Sequence, residues 1–118
     1  MPELVSPCPY FPICVCSRED ASPLHRVEPI APAGDSEAAF VRLKRLVARM
    51  PRTTVVTATD DYLHAVCRNR IGLVDDLECR LCRGEGVIHV RSASRLAIWD
   101  LGANRARVEA LRRQLQGV

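Results

Sequence analysis

The spacing of apolar residues along the chain predicts two amphipathic helices. Within residues 36–50, apolar side chains recur every three or four positions and form one stripe. Asp35 or Ser36 can cap the start of this helix, and Pro51 disfavours its continuation. A second stripe with the same spacing predicts a helix over residues 103–116. Each helix therefore has an apolar face that must be buried against another element.

Four stretches between these helices have the pattern of β-strands. They comprise residues 53–59, 62–69, 77–82 and 87–98. Apolar and polar side chains alternate in residues 77–82, which is typical of a half-buried strand. We expect a bend or bulge near residues 92–94, because the fourth stretch is long. A further edge strand is expected at residues 25–30, where Pro29 is tolerated at an edge.

The order of these elements is β-α-β-β-β-β-α, which predicts an α+β fold. Consecutive strands with short turns form an antiparallel sheet, and both helices bury their stripes on one face of it. The result is a two-layer sandwich, whose order recurs in TATA-binding-protein-like and helix-grip folds without implying a function. Residues 1–34 hold seven of the eight prolines and predict a proline-rich N-terminal arm, followed by a single α+β domain over residues 35–118.

Composition narrows the classes of protein that the chain can belong to. Its 118 residues suit one domain, and a net charge of +3 is too small to indicate nucleic-acid binding. No apolar run is long enough for a transmembrane helix, and residues 1–16 lack the apolar stretch of a signal peptide. We therefore expect a cytoplasmic protein with reduced thiols. Every basic residue except Lys44 is arginine, which reflects either planar recognition of anions or biased codon usage.

The six cysteines leave three interpretations open. Cys79 and Cys82 have the spacing of a zinc knuckle, and Cys14 and Cys16 could complete four ligands. In a regular strand, however, the side chains of Cys79 and Cys82 point to opposite faces. The thiols can equally be small core residues, or Cys8 and Cys14 can form a disulfide in an oxidising compartment. We predict no metal site and no cofactor from these patterns.

Polar residues cluster near the ends of two predicted strands and the start of the second helix. Asp75 has the strand parity of Leu77, so it points inward, where an unpaired carboxylate is costly. Arg91 is its expected bidentate partner. The predicted ligand-binding cluster is Asp75, Asp76, Arg91, Ser92, Ser94, Arg95, Asp100, Asn104 and Arg105. Two interpretations stay open, a polar pocket or a salt-bridge network that positions the second helix.

We interpret the chain as a binding or accessory domain, in which Arg91 and Arg95 contact an anionic small molecule or a protein segment. One alternative is a hydrolase that uses the Asp75–Asp76 pair as a base or metal ligand beside a serine. Another is a nucleic-acid-binding module that uses arginines of the second helix, namely Arg105, Arg107, Arg112 and Arg113. Nucleic acid is the less expected partner, because aromatic residues are scattered.

Several motifs together resemble one known family. They are CPYFPICV at residues 8–15, a Pro-Arg pair at 51–52, VDDLE at 74–78, VIHVRSASR at 87–95 and DLGANRARVEALR at 100–112. With these motifs the chain resembles a bacterial and plastid family called domain of unknown function 1499, over nearly its whole length.

The resemblance implies no established activity, but it bears on the cysteines and on localisation. Cys8 and Cys14 match the family pattern, which favours a paired role for these two residues. Cys79 stands where the family has an aromatic residue, so a zinc site shared by the family is not implied. Many members look envelope-associated, with an anchor ahead of the domain. The cell envelope is therefore the alternative to the cytoplasm.

Overall fold

The computed structural model describes residues 5–96, 100 and 102–116. Its elements are β1 (Cys14–Cys16), α1 (Ser36–Ala48), β2 (Thr53–Ala58), β3 (Tyr62–Arg68), β4 (Val74–Cys82), β5 (Val87–Ser94) and α2 (Ala103–Leu115). All five strands pair antiparallel in one sheet, which confirms the predicted α+β class with an antiparallel sheet and two helices. Among the described residues, neither helix combines the length and the apolar character that a membrane crossing requires.

The strands lie in the order β1-β5-β4-β3-β2, so that β1 and β2 form the two edges. Successive side chains of a strand point to opposite faces of the sheet. The inner face packs under the helices and carries apolar residues such as Leu77 and Ile88. The outer face carries His64, Glu78 and Arg91, which lie side by side across β3, β4 and β5. The two faces therefore present different chemistry.

The core lies between the inner face and the two helices. Asp35 caps α1, because its carboxylate accepts hydrogen bonds from the backbone N–H groups of Glu37 and Ala38. Those groups have no partner within the helix itself. The helices contribute Phe40, Leu43, Val47, Val108, Leu111 and Leu115 to the core. Each of these side chains is at most 5% exposed, so both apolar stripes are buried as their spacing predicts.

The first strand of the sheet lies elsewhere than predicted. β1 is formed by Cys14–Cys16, which pairs with residues 91–93 of β5. The prediction of an edge strand at residues 25–30 is wrong. That segment instead makes two isolated bridges, from Arg26 to Cys16 and from Ile30 to Ile88. The first bridge is parallel to β1 and the second is antiparallel to β5, so the segment does not form one continuous ladder with either strand. Pro29 also has no N–H to donate.

The N-terminal segment, residues 5–8, lies across the outer face. Val5 is fully buried, and the backbone N–H of Ser6 donates to Glu78 Oε1 at 3.2 Å. Cys8 then forms a disulfide with Cys14 of β1. Residues 5–8 of the proline-rich arm are therefore packed against the sheet of the α+β domain.

The strands differ from prediction in one further respect. β5 ends at Ser94, and its register with β4 is continuous from there to Val87, so no bulge lies at residues 92–94. The chain bends directly after the strand, at residues 95–96. The last part of the predicted strand, residues 97–98, lies outside the described residues. A bulge lies instead in β2, between Val55 and Thr57. Bulges are common at sheet edges, and β2 is an edge.

Candidate functional site

Six polar side chains form a network between the sheet and the N-terminal turns of α2. This inner polar network consists of Asp75, Ser92, Ser94, Asp100, Asn104 and Arg107. Asn104 is fully buried, and its amide nitrogen lies 2.7 Å from Asp100 Oδ2 and 3.0 Å from Ser94 Oγ. Ser92 is also fully buried, and its hydroxyl donates to Asn104 Oδ1 at 2.7 Å. The start of α2 is thus tied to β5 by hydrogen bonds.

Arg107 joins this network to β4. Its guanidinium donates to Ser92 Oγ at 2.8 Å, to Asn104 Oδ1 at 2.9 Å and to Asp75 Oδ2 at 2.9 Å. The side chains of Arg107 and Asp75 are only 18% and 12% exposed. The inward carboxylate therefore has the cationic partner that its burial requires.

The prediction that Arg91 is the partner of Asp75 is wrong, because the partner is Arg107, which the sequence analysis considered only as a nucleic-acid contact. A signal for Arg107 was present in the chain. It lies one helical turn before Leu111 and three residues after Asn104, which places it beside the buried stripe of α2. From that position Arg107 can reach the carboxylate of Asp75, which points toward the helices from β4.

The inner polar network positions α2 and offers no activated nucleophile. The Ser92 hydroxyl donates to an amide oxygen and accepts from Arg107. Within the described part of the chain, no base lies against that hydroxyl to take its proton, as nucleophilic catalysis would need. Asp75 is occupied by Arg107. The geometry therefore favours the interpretation that this network holds the second helix in place.

Asp76 lies on the outer face, away from Asp75, because successive residues of a strand alternate. Arg95 donates from Nε and Nη2 to the two carboxylate oxygens of Asp76 at 2.7 and 2.8 Å. His64 Nε2 lies 2.8 Å from the same carboxylate. The hydrogen bonds from Arg95, and secondarily from His64, lower the pKa of Asp76 to about 2. A carboxylate held in this way is a weak general base at neutral pH.

Arg91 also lies on the outer face, beneath the N-terminal segment. Its Nε donates to the backbone oxygen of Pro7 at 3.3 Å, and its Nη1 lies 3.8 Å from Glu78 Oε1. Glu78 accepts a hydrogen bond from the Tyr62 hydroxyl at 2.8 Å. Burial, followed by this hydrogen bond, raises the pKa of the Tyr62 hydroxyl above its usual value. Arg91 thus contributes to holding residues 5–8 on the sheet.

Arg105 lies in a groove between α2 and residues 26–28. This arginine groove has a volume of about 410 Å³ and is lined by Arg26, Val27, Glu28, Arg105, Glu109 and Arg112. Arg105 donates to the backbone oxygens of Arg26 and Leu24 at 3.2 and 3.3 Å. Arg112 donates to Glu109 Oε1 at 3.0 Å and to backbone oxygens of the opposite wall.

The arginine groove contains one more guanidinium than carboxylate. Arg26 lies 3.7 Å from Glu28 and Arg112 lies 3.0 Å from Glu109, whereas Arg105 contacts carbonyl oxygens. The carboxylates are also the more exposed partners, at 77% and 43%, against 30% and 15% for their arginines. In both ion pairs the arginine is therefore the more buried partner, whereas Arg105 is exposed.

The nine residues of the predicted cluster are therefore not brought together at one site. The inner polar network holds Asp75, Ser92, Ser94, Asp100 and Asn104. Asp76 and Arg95 pair on the outer face, and Arg91 lies beneath the N-terminal segment. Arg105 belongs to the arginine groove. The sheet itself separates the first group from the second.

The cysteines are distributed over both faces of the sheet. Cys79 is fully buried in the core, where burial raises the pKa of its thiol. Cys82 has the opposite parity in β4 and is partly exposed. The C-x-x-C pair therefore cannot place both of its thiols on one ion. Cys16 and Cys67 are free and buried, and Cys14 is bonded to Cys8.

The fold and these sites define a small α+β domain with a disulfide at its N-terminal segment and a buried network that anchors its last helix. The chain belongs to the family described as protein of unknown function (DUF1499), whose model matches residues 4–115. The resemblance seen in the sequence motifs is thereby confirmed. No curated protein matched the chain, and no solved structure matched it either. The analogy to TATA-binding-protein-like and helix-grip folds accordingly stays a prediction.

Proposed function

We propose that this chain is a non-enzymatic binding or accessory domain that takes an anionic group of a small molecule or protein segment in the arginine groove. The observation that carries this proposal is Arg105, a guanidinium that faces carbonyl oxygens and lacks a carboxylate partner among the described residues. Guanidinium groups bind carboxylate and phosphate through parallel charge-assisted hydrogen bonds. The groove volume of about 410 Å³ lies within the range of ligand sites, roughly 300–1,000 Å³.

The inner polar network supports this function indirectly. It fixes the first turns of α2 through Asn104 and Arg107. The same helix presents Arg105 and Arg112 to the groove. A rigid helix keeps the guanidinium groups in place before a ligand arrives, which lowers the entropic cost of binding. In this proposal five residues of the predicted cluster position α2, and Arg105 lies at the binding surface. Arg91 and Arg95, which the sequence analysis expected to contact the anion, lie instead on the outer face of the sheet with Asp76.

The proposal is tested by measuring the binding of three probes by isothermal titration calorimetry. The probes are inorganic phosphate, citrate and a hexaglutamate peptide. Arg105→Gln should weaken binding of the preferred probe by about 10- to 100-fold, as expected for a lost hydrogen bond between charged groups. Arg113→Gln is the matched control, because Arg113 is exposed on the same helix.

The outcomes separate the sources of the anion. Tighter binding of hexaglutamate than of citrate identifies a protein segment, and the reverse order identifies a small molecule. The proposal is overturned if none of the three probes binds, or if Arg113→Gln weakens binding as much as Arg105→Gln does. Thermal unfolding of both variants checks that the loss of binding is not a loss of folding.

We also propose the cell envelope, rather than the cytoplasm, as the compartment of this chain. The bond between Cys8 and Cys14 supports this, because disulfides persist in oxidising compartments. Rapid denaturing lysis of cells in the presence of an alkylating reagent, followed by mass measurement, tests it, because denaturation exposes the buried thiols of Cys16, Cys67 and Cys79. Protection of Cys8 and Cys14 alone is the expected result. Alkylation of all six cysteines in cells would refute the proposal.

A further inference from the structure

Three side chains with different ligand atoms converge where β4 turns into β5. Cys82 is the last residue of β4, Glu85 lies in the turn, and His89 follows in β5. Cys82 Sγ lies 3.2 Å from Glu85 Oε1, and His89 Nε2 lies 3.4 Å from that same oxygen. All three ligand atoms lie within 4.8 Å of one another. The hairpin therefore brings a thiol, a carboxylate and an imidazole to one point.

We propose that Cys82, Glu85 and His89 bind one divalent transition-metal cation of the zinc type. Zinc bonds of about 2.3 Å to sulfur, 2.0–2.1 Å to nitrogen and 2.0–2.2 Å to oxygen put neighbouring ligand atoms of a tetrahedron about 3.3–3.7 Å apart. Two of the three separations, 3.2 and 3.4 Å, already lie close to these values. The third separation, between Cys82 Sγ and His89 Nε2, is at most 4.8 Å, and the partly exposed Cys82 side chain has room to rotate toward His89.

The imidazole of His89 is already oriented for such a role. Its Nδ1 lies 2.9 Å from the hydroxyl of Ser17, and that hydroxyl also accepts the backbone N–H of Val90 at 2.9 Å. His89 and Ser17 are both buried, at 6% and 0% exposure. When Nδ1 donates to Ser17, the lone pair of Nε2 points toward Cys82 and Glu85. Metal-binding histidines are commonly fixed through their second nitrogen in this manner.

The charge of the three ligands suits a divalent cation. A thiolate and a carboxylate together neutralise two positive charges, and imidazole binds as a neutral ligand. Arg83 lies in the same turn, but its guanidinium pairs with Glu37 of α1 and not with the Glu85 carboxylate. Mixed sulfur, nitrogen and oxygen ligands favour zinc over magnesium or calcium. Three protein ligands leave a fourth position for water.

Metal binding at this point releases one proton. Cysteine binds a metal ion as the thiolate, whereas a free cysteine thiol is mostly protonated at neutral pH. On binding, the sulfur exchanges its proton for the metal, and the proton passes to solvent. The proposal is independent of the arginine groove and does not rest on it.

The experiment is a titration of the purified, disulfide-intact protein with Co²⁺, followed by displacement with Zn²⁺. We expect one equivalent of Co²⁺ to give tetrahedral d–d bands and a thiolate charge-transfer band. Cys82→Ser should abolish the charge-transfer band and weaken binding at least 100-fold. Ser17→Ala should keep the band while weakening binding about 10- to 100-fold. Glu19→Gln, on an exposed residue outside the hairpin, is the matched control.

A second measurement uses the accessibility of the thiol. Cys82 is the partly exposed free cysteine of the described chain, whereas Cys16, Cys67 and Cys79 are buried. One equivalent of Zn²⁺ should slow alkylation of Cys82 by iodoacetamide at least tenfold. The proposal is overturned if Co²⁺ binds without a charge-transfer band, or if Cys82→Ser binds as tightly as the wild type. Unchanged alkylation in the presence of Zn²⁺ overturns it as well.

Discussion

Replacement of Arg107 by methionine leaves the carboxylate of Asp75 buried without a cation. Arg107 donates to Asp75 of β4, Ser92 of β5 and Asn104 of α2 at 2.8–2.9 Å. Breaking a buried ion pair by removing one partner costs about 3–5 kcal/mol. The side chains of Arg107 and Asp75 are 18% and 12% exposed, so some water reaches the ion pair. We therefore take the lower end of that range of energies, about 3 kcal/mol.

That loss is large compared with the stability of a domain of this size. At about 0.05–0.15 kcal/mol per residue, the free energy of unfolding of a chain of this length is roughly 6–18 kcal/mol. Arg107→Met should therefore lower the midpoint of thermal unfolding by about 10 °C or more. Unfolding by guanidinium chloride, followed by circular dichroism with the disulfide intact, measures the free energy directly.

The double variant Asp75→Leu with Arg107→Met distinguishes the ion pair from general loss of packing. Removing both charges should restore most of the stability, because no unpaired carboxylate remains. Arg113→Met, on the exposed side of α2, should stay within about 0.5 kcal/mol of the wild type. A loss below about 1 kcal/mol for Arg107→Met, or simple additivity of the two single changes, would refute this reasoning.

Two further predictions concern the outer face and the N-terminal segment. The pKa of Asp76 is lowered to about 2 in the folded protein. The ion pair of Asp76 with Arg95 therefore contributes its full stabilisation above the pKa that Asp76 has in the unfolded chain. This stabilisation is lost as the pH falls through about 2. Between about pH 4 and pH 2, the free energy of unfolding of the wild type should therefore fall more than that of Asp76→Asn. If the two plots of unfolding free energy against pH are parallel, the lowered pKa of Asp76 is contradicted. Replacing Cys8 and Cys14 by serine should cost about 2 kcal/mol, as expected for a short loop. A denaturation midpoint equal to that of the wild type would contradict this estimate.

Local patterns were sufficient to predict most of the elements and their faces. The apolar stripe of α1 and its Asp35 cap are both visible as spacing in the chain. The inward orientation of Asp75 follows from its parity with Leu77 in β4. These features depend only on residues within one helix or strand, so they can be predicted from the sequence.

Contacts between distant elements could not be predicted in the same way. Parity shows that Asp75 faces the helices, but the partner depends on how α2 is rotated and placed on the sheet. Three residues of β1 were overlooked because Cys14–Cys16 is too short to show a period, and its pairing is decided by β5. The convergence of Cys82, Glu85 and His89 likewise depends on the geometry of a turn and on burial of Ser17.

The pairing of β1 with β5 has a consequence for how the chain folds as it is made. Residues 14–16 find their partners only at residues 91–93, so the first strand in the chain completes the sheet late. Synthesis of the intervening roughly 75 residues takes about 4–15 s at 5–20 residues per second. During that interval β5 does not yet exist, and Cys14 and Cys16 are not covered by it. Forming such long-range contacts is the slow step in sheets of this kind, and it leaves time for the N-terminal thiols to react before the fold encloses them.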